Sequence, residues 1–138
     1  MGAISPVPFL SNKLLAKIQN KIIKPTITGI MKEKMKYNGF IFIGLIQVED
    51  EPYVIEYNVR MGDPETEVVF PRLKNDLVEL FNSMGTSKFK SVKLKISDKH
   101  AATVILVSGG YPQSYSKGKT IDGLNNLSEV LVFHAGTK

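Results

Sequence analysis

The sequence predicts an α+β fold in which antiparallel strands pair and helices pack on them. Residues 40–58 contain two strand-like runs separated by an acidic turn that includes a proline. Residues 12–35 and 73–84 repeat apolar side chains at helical spacing, whereas residues 92–96 alternate as strands do. Alternating runs joined by short turns pair as hairpins, and runs with a period of 3.6 residues form amphipathic helices.

The first helix is predicted to begin after Ser11, whose hydroxyl can cap free amides of the first turn. Pro25 is expected to end or kink this helix because proline has no amide hydrogen, and a second helical segment should run from about residue 26 to 35. One face carries four lysines, which indicates a solvated face in preference to a ligand-binding one. These lysines are Lys13, Lys17, Lys21 and Lys24.

The strands Phe40–Val48 and Tyr53–Asn58 should form an antiparallel hairpin. Gly44 interrupts the first strand, and a glycine inside a strand often marks the close approach of a backbone or ligand. The acidic turn of residues 49–52 is expected to lie in solvent, so its carboxylates are not counted as metal ligands.

Two further helices and a second sheet are predicted downstream. A short helix should stop before Pro71, and the helix that follows should close at Gly85, a residue type that favours helix C-termini. The polar residues 86–91 are the candidate boundary between a unit of residues 1–85 and one of residues 86–138. The second unit should be a small antiparallel sheet, with strands at residues 92–96, 101–107, 120–121 and 130–133.

Composition limits the class of function. A net charge of +5 and a lysine-rich first helix suit a nucleic-acid-binding module, but residues 47–67 hold seven acids and one base, which disfavours it. No apolar run approaches the roughly 18 residues that span a membrane. The sequence has no cysteine, which fits a cytoplasmic protein. We therefore expect no nucleic-acid partner, no membrane insertion and a cytoplasmic location.

The richest chemistry lies where the second hairpin strand ends. Glu56 and Asn58 stand two residues apart on a strand, so both side chains should project from the same face. Arg60 follows, and Gly62 is read as a turn residue with positive φ. Asp63 is followed by a proline, which is typical of a helix N-cap and first helical position. A carboxylate, an amide oxygen, a guanidinium and a helix N-terminus suit a divalent cation and a phosphate.

Each part of this stretch also has a plainer interpretation. Glu56 and Asn58 alone are more often an exposed strand face, and only the residues that follow reverse that preference. Arg60 could form a structural ion pair with Asp63 or Glu65. A Gly-Lys-Thr at residues 118–120 resembles the end of a phosphate-binding loop, but lacks the first glycine and the following helix of that motif.

Five segments of the chain carry a family resemblance: residues 1–6, 58–68, 71–80, 109–118 and 132–138. In these segments, which occur in the family's order, the chain resembles the phosphoribosylamine–glycine ligases, which are members of the ATP-grasp superfamily. The match departs from the usual family pattern at Ile4, Met61 and Gln113, none of which belongs to the Glu56–Asn58 pair.

The resemblance implies an ATP-dependent reaction that joins glycine to 5-phosphoribosylamine through glycyl phosphate. The products would be glycinamide ribonucleotide, ADP and phosphate. Glu56 and Asn58 would hold Mg²⁺ or Mn²⁺ against the ATP phosphates, and Arg60 would be catalytic, stabilising the transferred phosphoryl group or the acyl phosphate. The residues expected on the substrate side are Gly62, Asp63, Met1, Gly2 and Ser5.

Members of this family are much longer than the present chain. The chain is therefore expected to be a fragment: the C-terminal part of an ATP-grasp domain, residues 1–85, followed by the first part of the ligase C-terminal domain, residues 86–138. It should be inactive without the remainder of the ligase. Another ATP-grasp ligase or carboxylase is the main alternative, because the metal pair is common to the superfamily. The Gly-Asp-Pro-Glu continuation at residues 62–65 distinguishes the two.

Overall fold

The computed structural model describes all residues, 1–138, as two antiparallel two-stranded sheets with short helices packed beside them. The strands are β1 (Gly2–Ser5), β2 (Phe42–Val48), β3 (Glu51–Asn58) and β4 (Ala101–Val104). The α-helices are α1 (Asn12–Ile18), α2 (Lys24–Lys32), α3 (Thr66–Val69) and α4 (Leu77–Ser83). A π-helical segment covers Gln19–Ile23, and 3₁₀ turns cover Phe70–Arg72, Ser87–Ser91 and Leu124–Asn126.

The predicted hairpin is confirmed. β2 and β3 pair antiparallel from Val48↔Glu51 at the turn to Phe42↔Asn58 at the open end. A bulge after Gly44 leaves Ile55 without a partner, so the expected uninterrupted alternation of β3 is broken at that residue. Regular pairing resumes before the strand ends, which fixes the faces of its last residues.

The helix does not end at Pro25, which was one of the two outcomes, an end or a kink, predicted for that residue. Ser11 caps α1 as expected, its hydroxyl accepting from the Leu14 amide at 3.1 Å. The chain then passes through the π-helical segment directly into α2, with Pro25 in the first turn of α2. The wide π turn accommodates a residue that has no amide hydrogen, so the helix continues, and it ends at Lys32.

The predicted lysine face is largely solvated, since Lys13, Lys21 and Lys24 are exposed, but it also contacts the hairpin turn. Lys17 and Lys21 form ion pairs with one carboxylate beside the hairpin turn, with Nζ–Oε distances of 2.5 and 2.6 Å to Glu51. Lys13 lies 3.8 Å from the Asp50 carboxylate. These contacts dock the helix on the hairpin, and the two ammonium groups hold the pKa of Glu51 at about 2, below its ordinary value of 4.5. The acidic turn is therefore a docking point for the helix.

A second sheet joins the beginning of the chain to residues near its middle. β1 pairs antiparallel with β4, from Gly2↔Val104 to Ser5↔Ala101. Arg72 links β1 to the segment that precedes β4. Its guanidinium donates to the Ser5 hydroxyl at 2.8 Å and to the carbonyls of Ser97 and Lys99 at 3.0 and 2.9 Å.

The buried core is small and lies around the helices. Its apolar members are Leu14, Ile22, Val68 and Leu80. The ring of Phe40 joins this core to the hairpin, with centroids 6.0 Å from Phe70 and 5.9 Å from Phe81. α4 has the predicted stop, since Gly85 adopts φ 74° two residues after the helix ends. No helix among residues 1–138 is long and apolar enough to cross a bilayer.

The predicted small sheet does not form within residues 86–138. β4 ends at Val104 and pairs with β1, and the expected strand at residues 92–96 is reduced to a single bridge, Leu73↔Ile96. Residues 120–121 and 130–133 form no strand. Residues 130–133 are a continuous apolar run, but no neighbouring backbone in residues 1–138 pairs with them, and pairing is what makes a strand.

The Glu51 ion pairs predict a pH-dependent contribution to stability. Because the folded pKa is lowered, the contribution is complete above about pH 4.5 and is lost as the pH falls towards 2, where the unfolded chain binds the proton more readily. Glu51→Gln should unfold at lower urea concentration than the wild type at pH 7, and the gap should close in that acid range. Glu49→Gln, in the same turn, is the control. Parallel pH profiles for the Glu51→Gln and wild-type chains would contradict the prediction.

The two arginines predict contrasting effects on stability. Arg72→Ala should lower the free energy of unfolding by about 2 kcal/mol, because three charged hydrogen bonds are lost. Arg72→Lys should recover only part of it, since an ammonium cannot reproduce the guanidinium fork. Arg60→Ala is the control and should change stability by less than about 0.5 kcal/mol. Urea unfolding measures the stability of all three variants. An Arg72→Lys variant as stable as the wild type would contradict the role assigned to the guanidinium.

Candidate functional site

Glu56 and Asn58 lie together at the open end of β3, as the sequence predicted. The Asn58 amide nitrogen donates to a Glu56 carboxylate oxygen at 2.9 Å, which shows that both side chains share one face. The cross-strand partners of this pair are Gly44 and Phe42. Since the amide nitrogen is engaged by the carboxylate, the amide oxygen of Asn58 and the second oxygen of Glu56 are the atoms left for other ligands.

Gly44 leaves the room that the Glu56 side chain occupies. A Cβ at position 44 would lie 3.0 Å from the Cγ of Glu56 and 3.6 Å from the Phe42 ring. A side chain there would push the carboxylate away from the sheet. The strand glycine noted in the sequence therefore marks a close approach by a predicted metal ligand.

Gly62 is required for space, and its predicted positive φ is wrong. It is absent from the residues with positive φ, and it is buried. A Cβ at position 62 would lie 2.8 Å from the Phe42 ring and would also collide with the Glu65 carboxylate. The chain beyond β3 therefore folds back over the aromatic ring that stands opposite Asn58, which places Gly62 beside the Glu56–Asn58 pair.

Asp63 is not the predicted helix cap. α3 begins only at Thr66, and the Gly62 carbonyl accepts both the amide and the hydroxyl of Thr66, at 3.1 and 2.5 Å. These bonds form a turn over residues 63–65 before the helix starts. The Asp63 side chain makes no hydrogen bond within the chain and is exposed, so it faces solvent next to the site.

Arg60 does not form the structural ion pair considered as its alternative. The chain's ion pairs involve Lys13, Lys17 and Lys21 only, and the Arg60 guanidinium donates to the carbonyl of the adjacent Met61 at 2.8 Å. No contact joins it to Glu56 or Asn58. Most of its donors are therefore available to an anion at the strand end.

Met1, Gly2 and Ser5 lie away from that strand end, in and beside β1. The Met1 carbonyl accepts from the Ile105 amide at 2.9 Å, and the Ser5 hydroxyl accepts from Arg72. A side chain on Gly2 would collide with the Thr103 carbonyl. α3 packs against both β1 and β4 and follows the Gly62 turn directly, so this helix separates the two predicted substrate groups.

The donor set at the strand end fits a divalent cation that is shared with a ligand. Glu56 and Asn58 offer one charged and one neutral oxygen donor, and the chain has no cluster of three or more His, Cys, Asp or Glu that could enclose a metal. Mg²⁺ prefers oxygen and is usually held by one or two protein side chains, water and substrate phosphates. Two cavities, of about 320 and 190 Å³, lie elsewhere, beside α4 and beside Phe70. The candidate site is an open strand end.

Sequence reasoning missed three polar residues that organise the site's surroundings: Tyr37, Glu51 and Arg72. A signal existed for Arg72, because the chain has only two arginines among eighteen basic residues, and Arg72 lies in the family-matching segment of residues 71–80. Arginine is favoured over lysine where several acceptors must be held by one rigid fork. For Glu51 and Tyr37, the partners are distant in sequence, and no local pattern indicates them.

Comparison with known proteins first gives the class. Residues 1–66 match the family described as "Phosphoribosylglycinamide synthetase, ATP-grasp (A) domain". Both hairpin strands and the Glu56–Asn58 pair fall within this match. The fold and the site therefore define part of an ATP-grasp domain, and the predicted fold class is confirmed.

The particular family follows from individual relatives. A phosphoribosylamine–glycine ligase of Caldanaerobacter subterraneus subsp. tengcongensis is 42% identical over 137 residues, covering 99% of this chain and 33% of the relative. A bifunctional purine biosynthetic protein of Pichia angusta is 45% identical over 141 residues, covering 100% of this chain and 18% of its own length. The crystal structure of phosphoribosylamine–glycine ligase from Thermotoga maritima superposes with a TM-score of 0.69 at 32% identity, covering 86% of this chain and 29% of that one.

The chain belongs to the phosphoribosylamine–glycine ligase family. It spans about a third of the length of the curated ligases that it matches. The family predicted from the five sequence segments is thus confirmed, and the alternative of a different ATP-grasp ligase or carboxylase is set aside.

The space around Gly62 predicts a stability effect. Gly62→Ala should lower the free energy of unfolding by about 1–3 kcal/mol, because the new methyl group must displace the Phe42 ring or the Glu65 carboxylate. Gly109→Ala is a matched control, since Gly109 has no positive φ and a Cβ there would meet no atom within 4 Å. Equal urea midpoints for the two variants would contradict the close packing at Gly62.

Proposed function

We propose that this chain supplies the metal-binding and phosphoryl-handling wall of a phosphoribosylamine–glycine ligase. The proposed reaction uses ATP to convert glycine to glycyl phosphate, which the amine of 5-phosphoribosylamine attacks to give glycinamide ribonucleotide, ADP and phosphate. The observation that carries the proposal is the hydrogen-bonded Glu56–Asn58 pair at an open strand end, with Arg60 two residues beyond.

Glu56 and Asn58 would hold Mg²⁺ or Mn²⁺ through their remaining oxygen atoms. The ion would neutralise phosphate charge when bound. The pair itself contributes only one negative charge, which leaves most of the coordination to the ATP phosphates and water. Because Asn58 donates to Glu56, each side chain restrains the other, so the two oxygen donors keep their spacing before a ligand arrives.

Arg60 would stabilise the transferred phosphoryl group or the acyl phosphate. Its guanidinium has no carboxylate partner in residues 1–138, so binding an anion breaks no ion pair. Transfer of a phosphoryl group depends mainly on positioning and on neutralising charge. A forked cation beside a metal-binding pair suits both requirements.

The two groups of predicted substrate residues would contribute from either side of α3. Gly62 and Asp63 lie in the turn that precedes this helix, whereas Met1, Gly2 and Ser5 belong to the β1 region against which the helix packs. The remainder of the ligase would complete the site opposite this wall. We retain the division into residues 1–85 and 86–138 as a proposal, and relatives named for purine biosynthesis favour a cytoplasmic location.

The test is turnover of the complete ligase that carries this segment. Glu56→Ala and Asn58→Ala should each lower metal-dependent formation of glycinamide ribonucleotide by about 100- to 1000-fold, which is typical of losing one electrostatic contact to a reacting centre. Circular dichroism and urea unfolding should stay close to the wild type because both side chains lie at the surface. Glu49→Gln removes a charge from the turn before the same strand and serves as the control. Normal turnover in both alanine variants would reject the proposed roles.

A further inference from the structure

A tyrosine hydroxyl contacts the strand end between two of the predicted functional residues. The Tyr37 hydroxyl lies 3.0 Å from the carbonyl oxygen of Val59 and 2.7 Å from that of Phe40. Val59 stands between Asn58 and Arg60 in the chain. The single proton of the hydroxyl is shared between these two carbonyls. Tyr37 therefore links the segment before β2 to the segment after β3.

The backbone on the Val59 side has no other anchor of this kind. Ladder pairing ends at Phe42↔Asn58, and residues 59–61 make no backbone–backbone hydrogen bond. The next backbone bond is the one that the Gly62 carbonyl accepts from Thr66. The Val59 residue is also 73% exposed, so packing does not hold it.

The segment around Tyr37 also makes no backbone–backbone hydrogen bond over residues 36–41, but side-chain contacts hold it. Phe40 packs between the rings of Phe70 and Phe81. The neighbouring Asn38 lies against Gly85, where a Cβ would come within 2.8 Å of its amide nitrogen. A Cβ at Gly39 would lie 2.7 Å from the Tyr37 hydroxyl, so the glycine keeps the path to the two carbonyls open.

We propose that Tyr37 is a positioning residue for the phosphoryl-handling strand end. Its hydroxyl ties the carbonyl of Val59 to a segment held by an aromatic cluster, which fixes the direction in which the chain leaves Asn58 and carries Arg60. Tyr37 itself touches neither the metal pair nor Arg60. This inference rests on the proposed function, because the strand end needs a fixed direction only if its side chains act together on one substrate.

The first measurement is steady-state kinetics of the complete ligase with Tyr37→Phe, which removes only the hydroxyl. The expected result is a kcat lowered about ten-fold with an unchanged KM for glycine, since small displacements of a reacting group slow chemistry by up to about a hundred-fold. Tyr53→Phe is the matched control, because Tyr53 lies on β3, the strand that leads to Asn58, and its hydroxyl makes no hydrogen bond in the chain. A wild-type kcat for Tyr37→Phe would overturn the inference.

Amide hydrogen exchange separates this inference from the proposed function. In Tyr37→Phe, exchange of the hydrogen-bonded amides that flank residues 59–61, namely those at the open end of the β2–β3 ladder and that of Thr66, should become about ten-fold faster, as expected for one lost hydrogen bond, with α4 unchanged. Unchanged exchange at these flanking amides overturns the anchoring role whatever the activity. Faster exchange in an enzyme whose wild-type form does not ligate glycine rejects the proposed function and still supports the anchor.

Discussion

The pairing of β2 with β3 is the constraint on which the rest of the molecule depends. Its register puts Glu56 opposite Gly44 and Asn58 opposite Phe42. A shift by one residue would send the side chains of Glu56 and Asn58 to the other face, since side chains alternate along a strand. The long helix, the Tyr37 segment and the Gly62 turn all contact this hairpin, each at a different point. The candidate site therefore forms only in this register of β2 against β3.

Much of this hairpin could be predicted from sequence because its determinants are local. Alternation indicated the strands, and a spacing of two residues placed Glu56 and Asn58 on one face, as their hydrogen bond shows. A capping serine and a terminal glycine were sufficient for the ends of α1 and α4. These features depend on a few neighbouring residues, and short-range steric and hydrogen-bonding preferences decide them.

The failures share a different cause: the deciding contact came from elsewhere in the chain or from a competing local bond. The lysine face is largely solvated, but its contact with the hairpin turn was missed because Glu51 lies thirty or more residues away. Gly62 is a residue type common in turns, yet Phe42 and Glu65 decide its need for a small residue. Asp63 is not the helix cap, because Thr66 bonds to the Gly62 carbonyl. Residues 130–133 are apolar enough for a strand and still lack a neighbouring strand.

The π-helical segment at Gln19–Ile23 alters the rotational phase of the helix. Lys21 and Thr26 are five residues apart, which on a regular α-helix places them about 140° from each other. Bonding from residue i to i+5 returns such residues to a common side. Lys21 thereby meets Glu51 while Thr26 lies 3.0 Å from the Tyr57 hydroxyl, so one helical side follows β3 along most of its length. Deleting one residue from this segment, unlike deleting one elsewhere in the helix, would therefore keep Lys21 and Thr26 on the side that faces β3.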